Sequence, residues 1–327
     1  MMTRTKAAAK NVFIVNSPFQ VLCAIEAREV FCKGALNILV VLLMDAEGTL
    51  GDTQLRSLTA DGWGDVLYVP YGSKKGLRRE LAKPAIVAQI LARHGRVQRV
   101  FVGNGRLTWL LAAGRLIGDT TLQLDDGAAS IKILSSRAAA PPAAAPGTQF
   151  FSIFALPEHA PWAQRNTLST LREERRSRPF TQGSHALLVG QKLSEDGQIT
   201  LSEELFLWKT YMDQSKAPLF RYIPHRGDST QKLTALQSMG VEIVNPPVPF
   251  ELFLVRVTEI PAAIASFYST TLFTSAMLLP GVATHAIQFA QRNTAPARAE
   301  EIRSVYARLR QNGTEVLDYP LPDHEGG

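Results

Sequence analysis

Short apolar runs alternate with stretches in which apolar residues recur at helical spacing. A run at residues 11–15 is followed by helical spacing over 19–31 and then by a run rich in Val, Leu and Ile at 36–44. Runs of this kind are typical of strands buried on both faces of a parallel sheet. The first half therefore predicts a repeated strand, loop and helix. Its further strands are expected at 65–69, 97–102 and 120–124, and its further helices at 81–94 and 107–116.

The second half repeats this alternation from residue 185 onward. Thr200 and Glu203 have the spacing of a capping box, which opens a helix expected to end near Met212. Gly240 stands where a glycine commonly ends a helix, here one that begins at residue 229. The remaining helices are expected at 250–257, 269–279 and 300–310. The strands are expected at 186–189, 219–223, 241–244, 264–268 and 282–289, and the last of these is expected to be the final strand of the chain.

Two features divide the chain near its middle. Residues 138–147 are rich in Ala and Pro, which indicates an insertion or a surface loop rather than a regular helix. Residues 168–178 carry charges of both signs, which is typical of a solvated helix, and Pro179 is expected to end it. The sequence predicts an α/β protein with two Rossmann-like domains, 1–183 and 184–327, that face one central cleft.

Composition adds a moderate positive charge to this picture. The chain has 327 residues, of which 46% are hydrophobic and 20% charged, with a formal net charge of +6. This is the composition of a globular protein with room for two domains. The positive charge is compatible with an anionic substrate, with an anionic membrane surface or with no specific partner. The sequence has neither zinc-finger spacing nor an interleaved basic and aromatic motif, so we expect no nucleic-acid partner.

The cysteines and the apolar runs indicate a cytoplasmic protein. Cys23 and Cys32 do not form a Cys-x-x-Cys pair, so we expect reduced, buried thiols rather than disulfides or a zinc site. No apolar run reaches about 18 residues, so no transmembrane helix is expected. The apolar residues 12–15 are too few for a signal peptide and indicate a first strand. Basic residues at the N-terminus and over 172–178 leave open a peripheral contact with the inner face of the cytoplasmic membrane.

Two adjacent carboxylates follow the strand expected at 120–124. Asp125 and Asp126 precede Gly127, an arrangement that suits a turn at the rim of an α/β sheet. A carboxylate at such a rim can face a ligand and act as a base. Asp and Gly also favour tight turns that have no function, so an ordinary turn is the alternative interpretation.

A histidine and a group of hydroxyl residues indicate a phosphate site in the second half. His225 follows Pro224 at the end of an expected strand, and Ser269, Thr270 and Thr271 open an expected helix. A helix N-terminus presents free N–H groups to a phosphate. An imidazole beside that phosphate can offset the charge that develops as it leaves. Ser and Thr are also good N-caps without any ligand, so ordinary capping is the alternative interpretation.

The order of these motifs resembles that of the bacterial sialyltransferases and polysialyltransferases. In that family an acidic-acidic-Gly motif, a His-Pro motif and a Ser-Ser/Thr motif follow one another. Here the corresponding segments are Asp125-Asp126-Gly127, Pro224-His225 and Ser269-Thr270. The segments Asn16-Ser17-Pro18-Phe19-Gln20 and Pro249-Phe250-Glu251 are also similar to the family, and the resemblance spans residues 11–290. It implies the GT-B fold and a glycosyltransferase that uses a CMP-activated sugar.

The resemblance also implies a role for each matching residue. Asp126 would be the base for the acceptor hydroxyl, with Asp125 in support. His225 would act on the leaving CMP phosphate, as an acid or as an electrostatic stabiliser. A single displacement with inversion would follow, with no metal and no other cofactor. The substrate-binding candidates are Ser269, Thr270 and Thr271 for the phosphate, Glu251 for the ribose, Gly190, Gln191 and Arg226 for the donor, and Ser17, Pro18 and Gln20 for the cleft wall near the acceptor, with Asn104 as a further candidate.

One departure from the family pattern leaves the donor open. Arg226 stands where the family has Pro after the histidine. It could add a contact to a phosphate or a carboxylate, or indicate another donor such as CMP-Kdo. A GT-B transferase or epimerase that uses a UDP-sugar is a second alternative, and a non-catalytic nucleotide-sugar-binding component of polysaccharide assembly is a third. The resemblance favours a CMP-linked sugar of the sialic-acid (nonulosonic) type as donor and a bacterial surface glycan, such as capsule or lipopolysaccharide, as acceptor.

Overall fold

The chain divides into two compact α/β units, Met1–Thr170 and Leu171–Gly327. The computed structural model describes residues 9–44, 49–59, 61–72, 77–105, 107–138, 148–291 and 294–321. Each unit contains a parallel sheet whose strands alternate with helices along the chain, which confirms the predicted Rossmann-like units. The division by contacts falls before the boundary that the sequence predicts between residues 183 and 184.

Strands and helices alternate through most of the first unit. In chain order they are β1 (Lys10–Val15), α1 (Pro18–Phe31), β2 (Leu36–Leu43), α2 (Leu50–Leu58), β3 (Asp65–Pro70), α3 (Leu77–His94), β4 (Val97–Val102), α4 (Thr108–Ile117), β5 (Gly118–Leu124), α5 (Ala129–Ala138), β6 (Thr148–Ser152) and β7 (Ala163–Arg165). These strands form one parallel sheet in the order β3-β2-β1-β4-β5-β6-β7. The order reverses between β1 and β4, and such a reversal is where open α/β sheets bind ligands.

The second unit has the same design with a smaller sheet. Its elements are α6 (Ser169–Arg176), which includes the point of division, β8 (Thr181–Gln182), β9 (Ala186–Val189), α7 (Leu201–Gln214), β10 (Phe220–Ile223), α8 (Thr230–Ser238), β11 (Glu242–Ile243), α9 (Phe250–Arg256), β12 (Glu259–Ile260), β13 (Ala263–Ser266), α10 (Thr270–Leu278), β14 (Ala283–Gln288), α11 (Pro296–Gln311) and β15 (Glu315–Asp318). The main parallel sheet has the order β11-β10-β9-β13-β14-β15, and β12 pairs with β8. The order reverses between β9 and β13.

Aromatic side chains pack in the core of each unit, on or next to the strands where the strand order reverses. Phe13 on β1 stacks on Phe101 of β4, with the ring centroids 4.3 Å apart. Trp208 of α7 lies edge-on to Tyr222 of β10 and to Phe267, which directly follows β13. Aromatic pairs of this geometry contribute about 0.5–1.5 kcal/mol beyond the burial of their surface. Strands β1, β4 and β10, which lead into candidate loops, therefore take part in the aromatic packing of the two cores.

Most of the predicted elements occur within a few residues of their expected bounds. The capping box is confirmed, because Glu203 N donates to Thr200 Oγ1 and Thr200 N donates to Glu203 Oε2. The prediction that residues 282–289 hold the final strand is wrong, since β15 follows α11 and pairs with β14. β15 has the short sequence Glu-Val-Leu-Asp at the edge of the sheet, so it carries too few apolar residues for a strand signal.

Other elements were not predicted. These are α2 and α5 and the short strands β6, β7, β8 and β12. The Ala- and Pro-rich stretch predicted as a loop starts at the last residue of α5, and residues 139–147 lie outside the described residues. Among the helices that the structure describes, none combines the length and the apolar composition that crossing a bilayer would require.

Candidate active site

Three loops meet at the carboxyl edge of the first sheet because β1, β4 and β5 are neighbours. Ser17 and Pro18 follow β1, Asn104 follows β4, and Asp125 and Asp126 follow β5. The parallel strands place these loops at one edge, on both sides of the reversal in strand order. The candidates from the first half of the sequence are thus brought to one region of this unit.

Gln20 joins the first of these loops to Asp126. Its side chain is fully buried, and Nε2 donates to Asp126 Oδ1 at 2.6 Å. Its Oε1 accepts from the backbone N–H of Asn16 at 2.8 Å, so the amide has only one orientation in which both bonds form. Ser17 Oγ accepts from Gln20 N as the cap of α1, and Pro18 occupies the first turn, where its missing N–H is not needed. The start of α1 therefore orients the Asp126 carboxylate.

Glycines in the loop after β4 make room for this arrangement. A Cβ at Gly103 would overlap Gln20 Oε1, and a Cβ at Gly105 would overlap the side-chain amide of Gln123. Gly103 N also donates to Ile14 O at 2.8 Å, which holds the loop against β1. The Gly-Asn-Gly sequence thus serves the close approach of glutamine side chains.

Asp126 lies in a turn, and the turn directs its side chain. Its backbone N donates to Ser130 Oγ at 2.9 Å, and Gly127 has a φ of 65°, a conformation that favours glycine. Asp126 is half-buried, and its carboxylate accepts a hydrogen bond from the Gln20 side chain. The interpretation of Asp-Asp-Gly as a turn is therefore correct, and it is compatible with a carboxylate that acts on a substrate.

Asp125 points the other way and is fully buried. Oδ1 accepts from Ser152 Oγ at 2.9 Å, and Oδ2 accepts from the backbone N–H of Ile153 at 2.6 Å. Burial raises the pKa of Asp125 to about 7, although these hydrogen bonds and the nearby Arg165 guanidinium act to lower it. Asp125 thus anchors the segment after β6 to the end of β5. These contacts hold the backbone next to Asp126 in place.

In the second unit, the candidates follow the neighbouring strands β10, β9 and β13. Gly190 and Gln191 come after β9, His225 and Arg226 after β10, and Ser269 after β13. Ser266 at the end of β13 donates through Oγ to Val189 O at 2.8 Å, which ties the end of β13 to the end of β9. The candidates from the second half of the sequence are therefore also gathered at the carboxyl edge of one sheet.

Hydrogen bonding defines the tautomer of His225. Its Nδ1 accepts from the backbone N–H of Gly227 at 3.1 Å, so the proton of the neutral ring lies on Nε2. Burial lowers the pKa of His225, and the cations Arg226 and Lys192 lower it further, while Asp228 opposes them. A neutral imidazole that offers its Nε2–H is thus the favoured state near neutral pH.

Beside this histidine lies a buried charge cluster that was not predicted from the sequence. The Lys232 side chain is fully buried, and Nζ lies 2.8 Å from Glu195 Oε2, 2.8 Å from Glu204 Oε1 and 3.0 Å from Asp228 Oδ1, and it donates to Gln191 O at 3.0 Å. Burial alone would lower the pKa of Lys232, but the carboxylates raise it. The spacing of Asp228 and Lys232, four residues apart at the start of a helix, was the available signal.

Ser269 caps α10, as the alternative interpretation of this motif expects. Ser269 Oγ accepts from Thr271 N at 3.3 Å and from Thr271 Oγ1 at 2.8 Å. Ser269, Thr270 and Thr271 are all half-buried, at the end of a helix where backbone N–H groups suit an anion. The cap places the three hydroxyls at the N-terminus of α10, and this arrangement is compatible with the binding of a phosphate.

Glu251 connects α9 to the same helix. The residue is buried, and its Oε1 accepts from Thr274 Oγ1 at 3.1 Å. Burial raises the pKa of Glu251 above its ordinary value. Glu251 on α9 is thus held against α10, the helix whose N-terminus Ser269 caps.

The second half of the chain is similar to a known protein family. Residues 162–288 match the family model described as alpha-2,8-polysialyltransferase. The matched segment contains His225, Glu251 and Ser269, but Asp125 and Asp126 precede it. A search of the curated proteins found no match.

Solved structures that are similar to the chain include two sialyltransferases. One is the alpha/beta-galactoside alpha-2,3-sialyltransferase from Photobacterium phosphoreum, with 11% identity and a TM-score of 0.52, covering 95% of this chain and 99% of that chain. Another is the GT-B domain of a sialyltransferase from Photobacterium damselae, with 11% identity and a TM-score of 0.51, covering 94% and 97%. S. aureus MnaA in a co-structure with UDP has 10% identity and a TM-score of 0.52, covering 93% and 87%.

At these identities the structural likeness shows the fold, and the fold is shared by proteins of differing function. The family-model match and the fold confirm the predicted resemblance to bacterial sialyltransferases and polysialyltransferases and the GT-B fold class. The family-model match also confirms the prediction that the protein is a glycosyltransferase.

The pKa of Asp125 leads to a prediction about stability. Its value of about 7 in the folded protein lies above the ordinary 3.8, so the folded state keeps a proton that the unfolded state loses. The stability from this group is fully present below pH 3.8 and is lost as the pH rises through about 7. Asp125→Asn is neutral throughout, so its free energy of unfolding should improve relative to the parent by up to about 1.4 kcal/mol per pH unit in that window.

Denaturant unfolding at pH 4.5 and at pH 8 measures this difference. Asp119→Asn is the matched control, because Asp119 lies on β5 with an exposed side chain. If the difference between Asp125→Asn and the parent were equal at the two pH values, the raised pKa would be contradicted.

Proposed function

We propose that this protein is an inverting, metal-independent glycosyltransferase that moves a sialic-acid-type sugar from a CMP donor to a glycan acceptor. The match of residues 162–288 to a polysialyltransferase family model is the observation that carries the proposal. Within that segment, the residues that the resemblance assigns to the donor follow neighbouring strands of one sheet. For the acceptor we propose a bacterial surface glycan, such as capsule or lipopolysaccharide.

Asp126 is the proposed base. The acceptor hydroxyl gives its proton to the Asp126 carboxylate while its oxygen forms a bond to the anomeric carbon of the donor. The hydrogen bond from Gln20 supports this role, because it holds one carboxylate oxygen in a fixed direction. Buried Asp125 keeps the loop in place and takes no proton from the substrate in this scheme.

His225 is the proposed group at the leaving CMP. As the bond between the anomeric carbon and the phosphate oxygen breaks, its electron pair stays on the phosphate. The Nε2–H of a neutral His225 can donate to that oxygen, which stabilises the developing charge. The N-terminus of α10, with Ser269, Thr270 and Thr271, would hold the remaining phosphate oxygens. These groups supply the charge stabilisation, so the scheme needs no metal.

The remaining candidates surround the donor in this proposal. Gly190 and Gln191 would border the nucleotide, and Glu251 would accept from the ribose hydroxyls. Arg226 has an exposed side chain and a guanidinium that can pair with two oxygens of a carboxylate or a phosphate. A donor with a carboxylate beside the anomeric carbon would use that pairing.

Release of nucleotide from a donor panel tests the proposed function. CMP-Neu5Ac, CMP-Kdo and a UDP-sugar are supplied separately with EDTA present, and we expect slow release of CMP from CMP-Neu5Ac. Turnover of CMP-Kdo alone would assign the donor to another sugar acid. If neither CMP donor released CMP and UDP-sugars stabilised the protein against heat, the proposal would be contradicted. Binding of CMP without turnover, unchanged in Asp126→Ala, would favour a non-catalytic component.

Asp126→Asn should abolish transfer while CMP binding is preserved. Asparagine keeps an oxygen for the Gln20 amide, so the loop is retained, but it cannot take the acceptor proton. We expect a loss of at least ~10²-fold in turnover, the usual contribution of a positioned base. Turnover and CMP affinity are measured beside the surface control Asp119→Asn. Equal turnover by Asp126→Asn and the parent would remove Asp126 from the role of base.

His225→Ala should lower transfer by at least ~10²-fold, because the leaving phosphate loses its donor. His225→Gln is the matched variant, since the glutamine amide can donate a hydrogen bond but cannot transfer a proton. A neutral donor role therefore expects His225→Gln to retain more activity than His225→Ala. Single-turnover rates with a CMP donor measure both. A parent-like rate for His225→Ala would contradict the assignment.

A further inference from the structure

Asp228 connects the buried charge cluster to His225. Its Oδ2 accepts from the backbone N–H of His225 and from the Tyr222 hydroxyl, each at 2.8 Å. Its Oδ1 accepts from Lys232 Nζ at 3.0 Å. We propose that Asp228, held by Lys232, is the positioning residue that fixes the His225 imidazole in the tautomer with its proton on Nε2. This inference rests on the role of His225 in the proposed function.

The turn that follows β10 explains how Asp228 acts at a distance from the ring. Asp228 N donates to His225 O at 2.9 Å and closes the turn, while the Asp228 carboxylate accepts from His225 N. Inside this turn Gly227 N donates to His225 Nδ1 at 3.1 Å. A ring nitrogen that accepts a hydrogen bond carries no proton, so the turn selects the Nε2–H form.

Lys232 and Glu195 fix the same segment at its other end. Glu195 Oε1 accepts from the backbone N–H of Ser229 at 2.8 Å, and its Oε2 lies 2.8 Å from Lys232 Nζ. Burial would raise the pKa of Glu195, but the hydrogen bonds from Lys232 and Ser229 lower it to about 2. The segment from His225 to Ser229 is therefore held by charged carboxylates at both ends, and Lys232 binds both carboxylates.

Gly190 gives independent support, because it leaves the space that this contact needs. A Cβ at residue 190 would lie 2.5 Å from Asp228 Oδ2, 2.5 Å from the Tyr222 hydroxyl and 2.7 Å from His225 N. Any side chain there would enter the hydrogen bond between Asp228 and His225. Gly190→Ala therefore perturbs the contact and leaves every charge in place.

The test records the tautomer and the transfer rate separately. Selective ¹⁵N-histidine labelling of the full-length protein reports the protonation of each imidazole nitrogen, and His225→Gln identifies the His225 signals. The parent should show the Nε2–H tautomer. Asp228→Asn and Gly190→Ala should shift His225 toward the Nδ1–H form or a mixture, and should lower transfer by about 10- to 100-fold, as for groups that fix the tautomer of a metal-bound imidazole.

Asp213→Asn is the matched control. Asp213 pairs with Lys209 at the same four-residue spacing as Asp228 with Lys232, but on the surface, so neither the tautomer nor the rate should change. An unchanged His225 tautomer in folded Asp228→Asn or Gly190→Ala would overturn the inference. A changed tautomer with a parent-like transfer rate would support the positioning by Asp228 and contradict the role of the His225 Nε2–H at the leaving phosphate. If Asp228→Asn does not fold, Gly190→Ala decides. A parent that turns over no CMP donor would contradict the proposed function alone, because a tautomer shift would still establish the positioning by Asp228.

Discussion

The second unit depends on a lysine ammonium that has no access to water. Lys232 is fully buried, and an ion in such a place is stable only when opposite charges and hydrogen-bond acceptors surround it. Its partners come from α7, from the loop after β9 and from the loop after β10. Removing one member of a buried pair commonly costs about 3–5 kcal/mol. The loops that carry Gln191 and His225 are therefore tied together by the requirement to neutralise this charge.

In the first unit, a buried neutral side chain holds the candidate loops together. Gln20 is fully buried between Asn16 and Asp126, and its amide supplies one acceptor and one donor where each is needed. This neutral amide orients the Asp126 carboxylate through a hydrogen bond to one of its oxygens. The difference between this amide and the charged Lys232 cluster suits the roles proposed for the two units, a base in one and a fixed hydrogen-bond donor in the other.

The sequence predicts the parts of this fold whose signal is local. Buried strands are continuous apolar runs, and the Thr200–Glu203 box lies within four residues of chain, so both were found. β15 was missed because a short edge strand needs few apolar residues. The sequence could not show that the Asp125 side chain is buried while Asp126 is only half-buried. This difference depends on contacts with Ser152 and Gln20, which are far away in sequence. Lys232 was missed because lysine is almost always exposed, and its burial depends on acids from three other segments.

The enclosed lysine also constrains how this sequence can change over evolutionary time. Positions 195, 204, 228 and 232 hold three acids around one base, so a neutral residue at 232 would leave the acids facing one another. Single substitutions there pass through a less stable intermediate, whereas paired substitutions restore the balance. Such positions tend to change together or not at all. Covariation among these four positions in aligned relatives would therefore identify proteins that keep the cluster.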